Sequence, residues 1–151
     1  MKRSFLAIFA ATILFSIPAF AQRNVTPAID RDPLLEADAK HNLDVAWQAF
    51  KPGRKAYKQV LLRFEETFAA YPEFSKMDEF LYLAGMSSYY LSKNEGRQKI
   101  NFNSEKDKEK FAPEKLRQDA AAYFALMLEK NPHSSYKAEA EKILKELQTP
   151  K

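Results

Sequence analysis

The chain repeats one pattern of helix, proline turn and new helix at a spacing of 60 residues. Pro72 of the first copy corresponds to Pro132 of the second, and Phe64 corresponds to Phe124. A helix with one apolar face must bury that face on a neighbour, so successive copies stack on each other. The repeat therefore predicts an all-α fold, a short helical solenoid of antiparallel helix pairs of the tetratricopeptide-like kind.

Apolar residues that recur every three or four positions predict about five helices. Their expected bounds are 33–50, 54–71, 75–93, 113–130 and 135–148. Asp32 is the expected N-cap of the first helix, with Pro33 at its first position. Ser75 is the expected cap of the third helix, with Asp78 placed to reach back to it.

Three aromatic residues on these stripes, Trp47, Phe64 and Phe124, are expected to dominate the core. The chain has only three glycines, and Gly85 is the one that falls inside a predicted helix. We interpret Gly85 as a position where two helices pack closely.

The N-terminal 21 residues have the pattern of a secretory signal peptide. Lys2 and Arg3 form a positive start, residues 5–17 are almost continuously apolar, and an A-x-A cleavage site ends at Ala21. We expect the mature chain to begin at Gln22 and to be periplasmic or secreted.

The mature chain is predicted to have one domain. Residues 22–32 are polar and interrupted by proline, which indicates a flexible segment. Residues 33–148 form the helical-repeat domain. The sequence has no cysteine, which removes disulfides and also the residue that a bacterial lipoprotein acylates. We therefore expect no lipid anchor and a soluble protein after cleavage.

A charged stretch, residues 97–112, interrupts the helical pattern and is predicted to be a long inserted loop. We expect its charged half, residues 104–110, to be exposed and mobile, because too few apolar residues are available to order it. Ile100 and Phe102 are expected to tether its start to the third or fourth helix. The loop could then close over a bound partner.

Charge and motifs exclude several classes of function. The net charge is only +4 and the Lys and Glu residues are interspersed, which is not a nucleic-acid signature. No glycine-rich phosphate loop, nucleophile elbow or HExxH pair occurs. We expect no enzyme, no catalytic residue, no cofactor and no metal site.

The alternative is a helical bundle that binds a small apolar ligand or haem between its helices. The candidate axial ligands would be His41, His133, Met77, Met86 and Met127. Surface positions are the simpler interpretation of both histidines.

Five residues of the third predicted helix are the candidate partner-binding strip: Glu79, Tyr82, Met86, Tyr89 and Tyr90. Adjacent tyrosines point to different sides of a helix, so one of them should face a groove or a neighbour. The alternative is that these side chains pack against the charged loop or the last helix.

The second copy of the repeat carries a family resemblance. Its motif, Asn131-Pro132-x-Ser134-x-Tyr136-x3-Ala140, resembles the junction between repeats in periplasmic tetratricopeptide-like proteins. Two such families are the BamD-type outer-membrane assembly factors and the soluble repeat proteins associated with the Tol-Pal system.

The resemblance implies a non-catalytic scaffold or adaptor that binds a protein or peptide of the bacterial cell envelope. BamD-type proteins are lipoproteins, and this chain differs from them because it has no cysteine to acylate. A Tol-Pal-type protein would fit the missing lipid. A homo-oligomer is a further prediction, because a short solenoid leaves its end faces apolar.

Overall fold

The computed structural model describes residues 31–149, and all regular structure in that part of the chain is helical. The helices are α1 (Pro33–Phe50), α2 (Tyr57–Ala70), α3 (Met77–Ser92), α4 (Glu105–Lys110), α5 (Pro113–Lys130) and α6 (Lys137–Gln148). Five of them correspond to the predicted helices, which confirms the all-α fold class. The predicted leader, its cleavage site and residues 22–30 lie outside the described residues.

The five long helices form two layers. Helices α1, α3 and α6 make one layer, which we call the front, and α2 and α5 make the back. Helix α3 packs on α1, α2 and α5, and twelve of its 16 residues are buried, so it is the centre of the fold. No helix in the described part of the chain is both long and apolar enough to span a membrane.

The sequence repeat is also a repeat of backbone structure. Helix α2 ends at Tyr71 with φ −150° and ψ 75°, and α5 ends at Asn131 with φ −142° and ψ 86°. Both turns also have the same backbone hydrogen bond. The Phe74 amide donates to the Tyr71 carbonyl, and the Ser134 amide donates to the Asn131 carbonyl. Phe74 and Ser134 are both buried. The same turn thus joins α2 to α3 and α5 to α6.

The N-cap of α1 is confirmed, whereas that of α3 is not. The Asp32 carboxylate accepts hydrogen bonds from the amides of Leu34 and Leu35, at 2.8 and 3.3 Å. Ser75 was expected to cap α3, but it lies in the turn, and the N-cap residue Lys76 makes no side-chain cap bond. The Ser75 amide donates to the Glu36 carboxylate at 3.1 Å instead.

Of the three aromatic residues that were expected to dominate the core, two are buried and Trp47 is not fully buried. Phe64 and Phe124 are 2% and 0% exposed, as predicted. Trp47 is only partly buried, because its indole N–H needs an acceptor and finds it at the surface. Gly85 is confirmed as a close-packing position, since a Cβ there would lie 2.6 Å from the Phe124 ring.

The charged loop, in which the sequence left room for one helical turn, contains a short helix. Residues 105–110 form α4, and the Ser104 hydroxyl caps it by accepting from the Asp107 amide at 3.4 Å. Asp107 also pairs with Lys58 of α2 at 2.6 Å, and Lys110 pairs with Glu65 of α2 at 2.6 Å. The segment is thus folded and attached to α2. Its mobility stays a prediction.

The anchors of this loop are Ile100 and Phe111. Ile100 is 5% exposed and belongs to the hydrophobic core, while its tethering to the third or fourth predicted helix stays a prediction. Phe102 is 48% exposed, so the prediction that it tethers the loop is wrong. Phe111 is buried in its place, and the Lys58 ammonium lies 4.9 Å from the centre of its ring.

Candidate functional site

A continuous cluster of aromatic rings lies mainly on the front layer and reaches Tyr57 at the start of α2, and we call it the aromatic face. Its neighbouring ring centroids are 4.3 to 6.3 Å apart, within the range in which aromatic pairs attract each other. Its members are Trp47, Phe50, Tyr57, Tyr82, Tyr89, Tyr90 and Tyr136. Four of them are partly exposed: Trp47, Phe50, Tyr90 and Tyr136.

Four separate elements bring these rings together: α1, the start of α2, α3 and the turn before α6. Trp47 and Phe50 lie on the last turn of α1 and meet edge to face at 6.0 Å. Tyr136 lies in the turn before α6 and stacks on Tyr82 of α3 at 4.3 Å. The Tyr136 ring is also 6.3 Å from Trp47. The face exists because stacking of α1, α3 and α6 aligns aromatic residues that are far apart in sequence.

Two phenol–carboxylate hydrogen bonds join α3 to α6. The Tyr82 hydroxyl donates to Glu139 and the Tyr89 hydroxyl to Glu146, each at 2.5 Å and each across 57 residues. The shared spacing shows that α3 and α6 run parallel and in register. Burial, followed by the hydrogen bond to the carboxylate, raises the pKa of both tyrosines, so both hydroxyls stay protonated and act as donors.

A lysine completes the second of these contacts. The Lys93 ammonium donates to the Tyr89 hydroxyl and lies 3.0 Å from the Glu146 carboxylate. It also lies 3.9 Å from the centre of the Tyr89 ring. Ring, carboxylate and ammonium thus form a closed cluster at this end of α3.

Carboxylates border the aromatic face around Trp47 and Tyr136. The Trp47 indole donates to Glu79 at 2.7 Å, and Asp78 accepts from the side-chain amide of Asn131 at 2.9 Å. Burial, and then the negative charge of Glu79, raise the pKa of Tyr136. This part of the face therefore combines aromatic rings with carboxylates.

The five residues of the predicted strip lie at the centre of this region but are mostly covered. Tyr82, Met86 and Tyr89 are 6%, 2% and 5% exposed. Glu79 and Tyr90 remain partly exposed. The Tyr136 ring stacks on Tyr82, and the hydroxyls of Tyr82 and Tyr89 contact α6 rather than the charged loop. Whether these five residues bind a partner stays a prediction.

Sequence analysis missed the contributions of Trp47, Phe50 and Tyr136 to the surface. The spacing of Trp47 and Phe50 matched a buried stripe, and a stripe does not show where the covering layer ends. Tyr136 was identified only as part of the junction motif. Its counterpart in the first copy is Lys76. The difference between an aromatic residue and a lysine at equivalent turns was the signal that could have indicated a special role for Tyr136.

The residues that a haem or metal site would use are not brought together on the aromatic face. His41 and His133 are exposed, whereas Met77, Met86 and Met127 are packed in the core. Within residues 31–149, no group of three or more potential ligands could hold a metal ion.

Comparison with known proteins identifies the family. The model of the family YfiO, described as outer membrane lipoprotein, matches residues 21–149. No curated protein and no solved structure gives a significant match. The match supports the BamD-type resemblance and lends nothing to the Tol-Pal alternative. Because it spans most of the 151 residues and agrees with the helical repeat, the chain belongs to the YfiO family of outer membrane lipoproteins.

Proposed function

We propose that the protein is an exported, non-catalytic helical-repeat scaffold that binds a protein or peptide of the cell envelope through its aromatic face. The observation that carries this proposal is the set of partly exposed rings on the front layer, above all Trp47 and Tyr136. Large aromatic side chains are enriched at protein interfaces and dominate their binding energy. Membership of an outer membrane family supports an envelope location.

The rigidity of the aromatic face also supports a binding role. Trp47 is fixed by its hydrogen bond to Glu79, and Tyr136 is fixed by stacking on Tyr82. Side chains that are already ordered lose less entropy when a partner binds. Glu79 accepts a hydrogen bond from Trp47, and Glu139 accepts one from Tyr82. This structural role of the carboxylates fits a scaffold.

We further propose that a protein partner, and not an acyl chain, holds this chain at the membrane. The family is described as lipoproteins, but acylation uses a cysteine and the sequence contains none. Phase partition in Triton X-114 tests this. We expect the exported protein in the aqueous phase, and recovery in the detergent phase would contradict the proposal.

In-cell photo-crosslinking tests the binding face. We would replace Tyr136 or Tyr90 by p-benzoylphenylalanine and irradiate intact cells. We expect a discrete adduct with one envelope protein from both positions. The matched control is Ala122, which is exposed on α5 in the back layer. The proposal fails if Ala122 gives the same adduct, or if neither front position gives one.

A further inference from the structure

Two equivalent tyrosine–carboxylate hydrogen bonds join α3 to α6, and only one of them also includes a lysine. Tyr82 with Glu139 and Tyr89 with Glu146 have the same spacing and the same hydrogen-bond length. Four residues after Tyr89, Lys93 adds an ammonium that lies on the ring and pairs with the carboxylate. A cation on an aromatic face is stabilised by the ring quadrupole, and a nearby carboxylate strengthens the contact.

The first contact receives no such cation from α3. The residue four positions after Tyr82 is Met86, which is apolar and 2% exposed. Among the ion pairs of the described residues, none involves Glu139; its hydrogen bond is the one from the Tyr82 hydroxyl. The nearest ion pair on this part of the face joins Lys76 to Glu79 at 4.0 Å, and the Lys76 side chain is 55% exposed.

The exposed surface next to this contact is suited to a cation from outside. Trp47 and Tyr136 present partly exposed rings 6.3 Å apart, and indole is the aromatic group that binds cations best. Glu79 and Glu139 supply negative charge near Tyr136. Glu79 raises the Tyr136 pKa, and Glu139 accepts a hydrogen bond from Tyr82, on which Tyr136 stacks.

We propose that the partner supplies an arginine or lysine side chain that lies on the Trp47 and Tyr136 rings and pairs with Glu139 and Glu79. This inference rests on the proposed function and names the chemistry of its partner, a basic peptide segment. The partner's cation pairs with Glu139 as Lys93 pairs with Glu146. Arginine fits better than lysine, because its planar guanidinium stacks on a ring and donates several hydrogen bonds at once.

Fluorescence of the purified protein provides the assay, because Trp47 is its only tryptophan. The probes are two peptides, Ac-GSFRFSG-NH2 and the same peptide with citrulline in place of arginine. Citrulline keeps the planar head group but is uncharged. We expect saturable binding of the arginine peptide, roughly tenfold weaker binding of the citrulline peptide, and a smaller difference at high salt.

A charge-neutral variant locates the cation. Glu139→Gln keeps an acceptor for the Tyr82 hydroxyl and removes the charge, and we expect it to lose most of the preference for arginine. The matched control is Glu141→Gln, the same change on the same helix at an exposed residue whose nearest cation is Lys137 at 3.8 Å. This control should keep the preference.

The outcomes separate the two proposals. Equal binding of both peptides, no saturable binding of the arginine peptide, or an unchanged preference in Glu139→Gln would each overturn the inference. A partner adduct at Tyr136 in cells would still support the scaffold in those cases. An arginine preference without any adduct at Tyr136 or Tyr90 would instead contradict the scaffold proposal.

Discussion

The substitution Gly85→Ala tests the closest contact in the fold. A Cβ at Gly85 would lie 2.6, 2.8 and 2.9 Å from three atoms of the Phe124 ring, whereas ordinary contacts are 3.4–4 Å. The ring would have to move by about 1 Å to restore normal contact distances. Phe124 is fully buried, so such a movement displaces its neighbours as well.

The net effect is the difference between two opposing contributions. Overpacking a core costs about 1–3 kcal/mol, and a clash with three ring atoms belongs at the upper end of that range. Alanine is better than glycine in a helix by about 1 kcal/mol. We therefore expect Gly85→Ala to lower the free energy of unfolding by about 2 kcal/mol.

Urea denaturation followed by circular dichroism measures this change, provided the m-value stays the same. The control is Gly53→Ala, where an added Cβ has no atom within 4 Å; its stability should change by less than about 0.5 kcal/mol. The double variant with Phe124→Leu should show positive coupling, because a smaller side chain relieves the clash. A Gly85→Ala protein as stable as wild type would refute the packing argument.

Three further predictions concern the core, the loop and the N-terminus. Phe124→Ala should lower the free energy of unfolding by about 3–5 kcal/mol, and unchanged urea stability would show that the repeat does not form the core. The hydrogen bond from Lys58 lowers the pKa of Asp107, so its stabilisation of α4 is present at neutral pH and is lost as the pH falls through that lowered pKa. Protection of α4 amides from hydrogen exchange should decrease there, and Asp107→Asn should show the low protection already at neutral pH; equal protection in both proteins would contradict this. Mass spectrometry of the exported protein should find Gln22 at its N-terminus, and an uncleaved species in the membrane fraction would count against the leader.

Sequence patterns predicted the long helices and their repeat because these depend on local physics. Pro33 and Pro113 begin α1 and α5 at the predicted residues, since proline fits the first turn of a helix. The bounds of α2, α3 and α6 were less accurate. Lys55 takes a φ of 45° in the turn before α2, and no residue pattern indicated that Lys76 would be the N-cap of α3 in place of Ser75.

The sequence alone predicted an all-α fold whose helices repeat at 60 residues, and it placed Phe64 and Phe124 in the core. Tertiary structure decided which neighbour covers each apolar stripe. It joined Tyr82 and Tyr89 to α6 by hydrogen bonds, left Trp47 partly exposed and attached α4 to α2 through ion pairs. The physical reason is that periodicity records which side of a helix is apolar. It does not record which helix that side will contact. The contacts from α3 to residues of α6 that are 57 positions later depend on how all the helices stack.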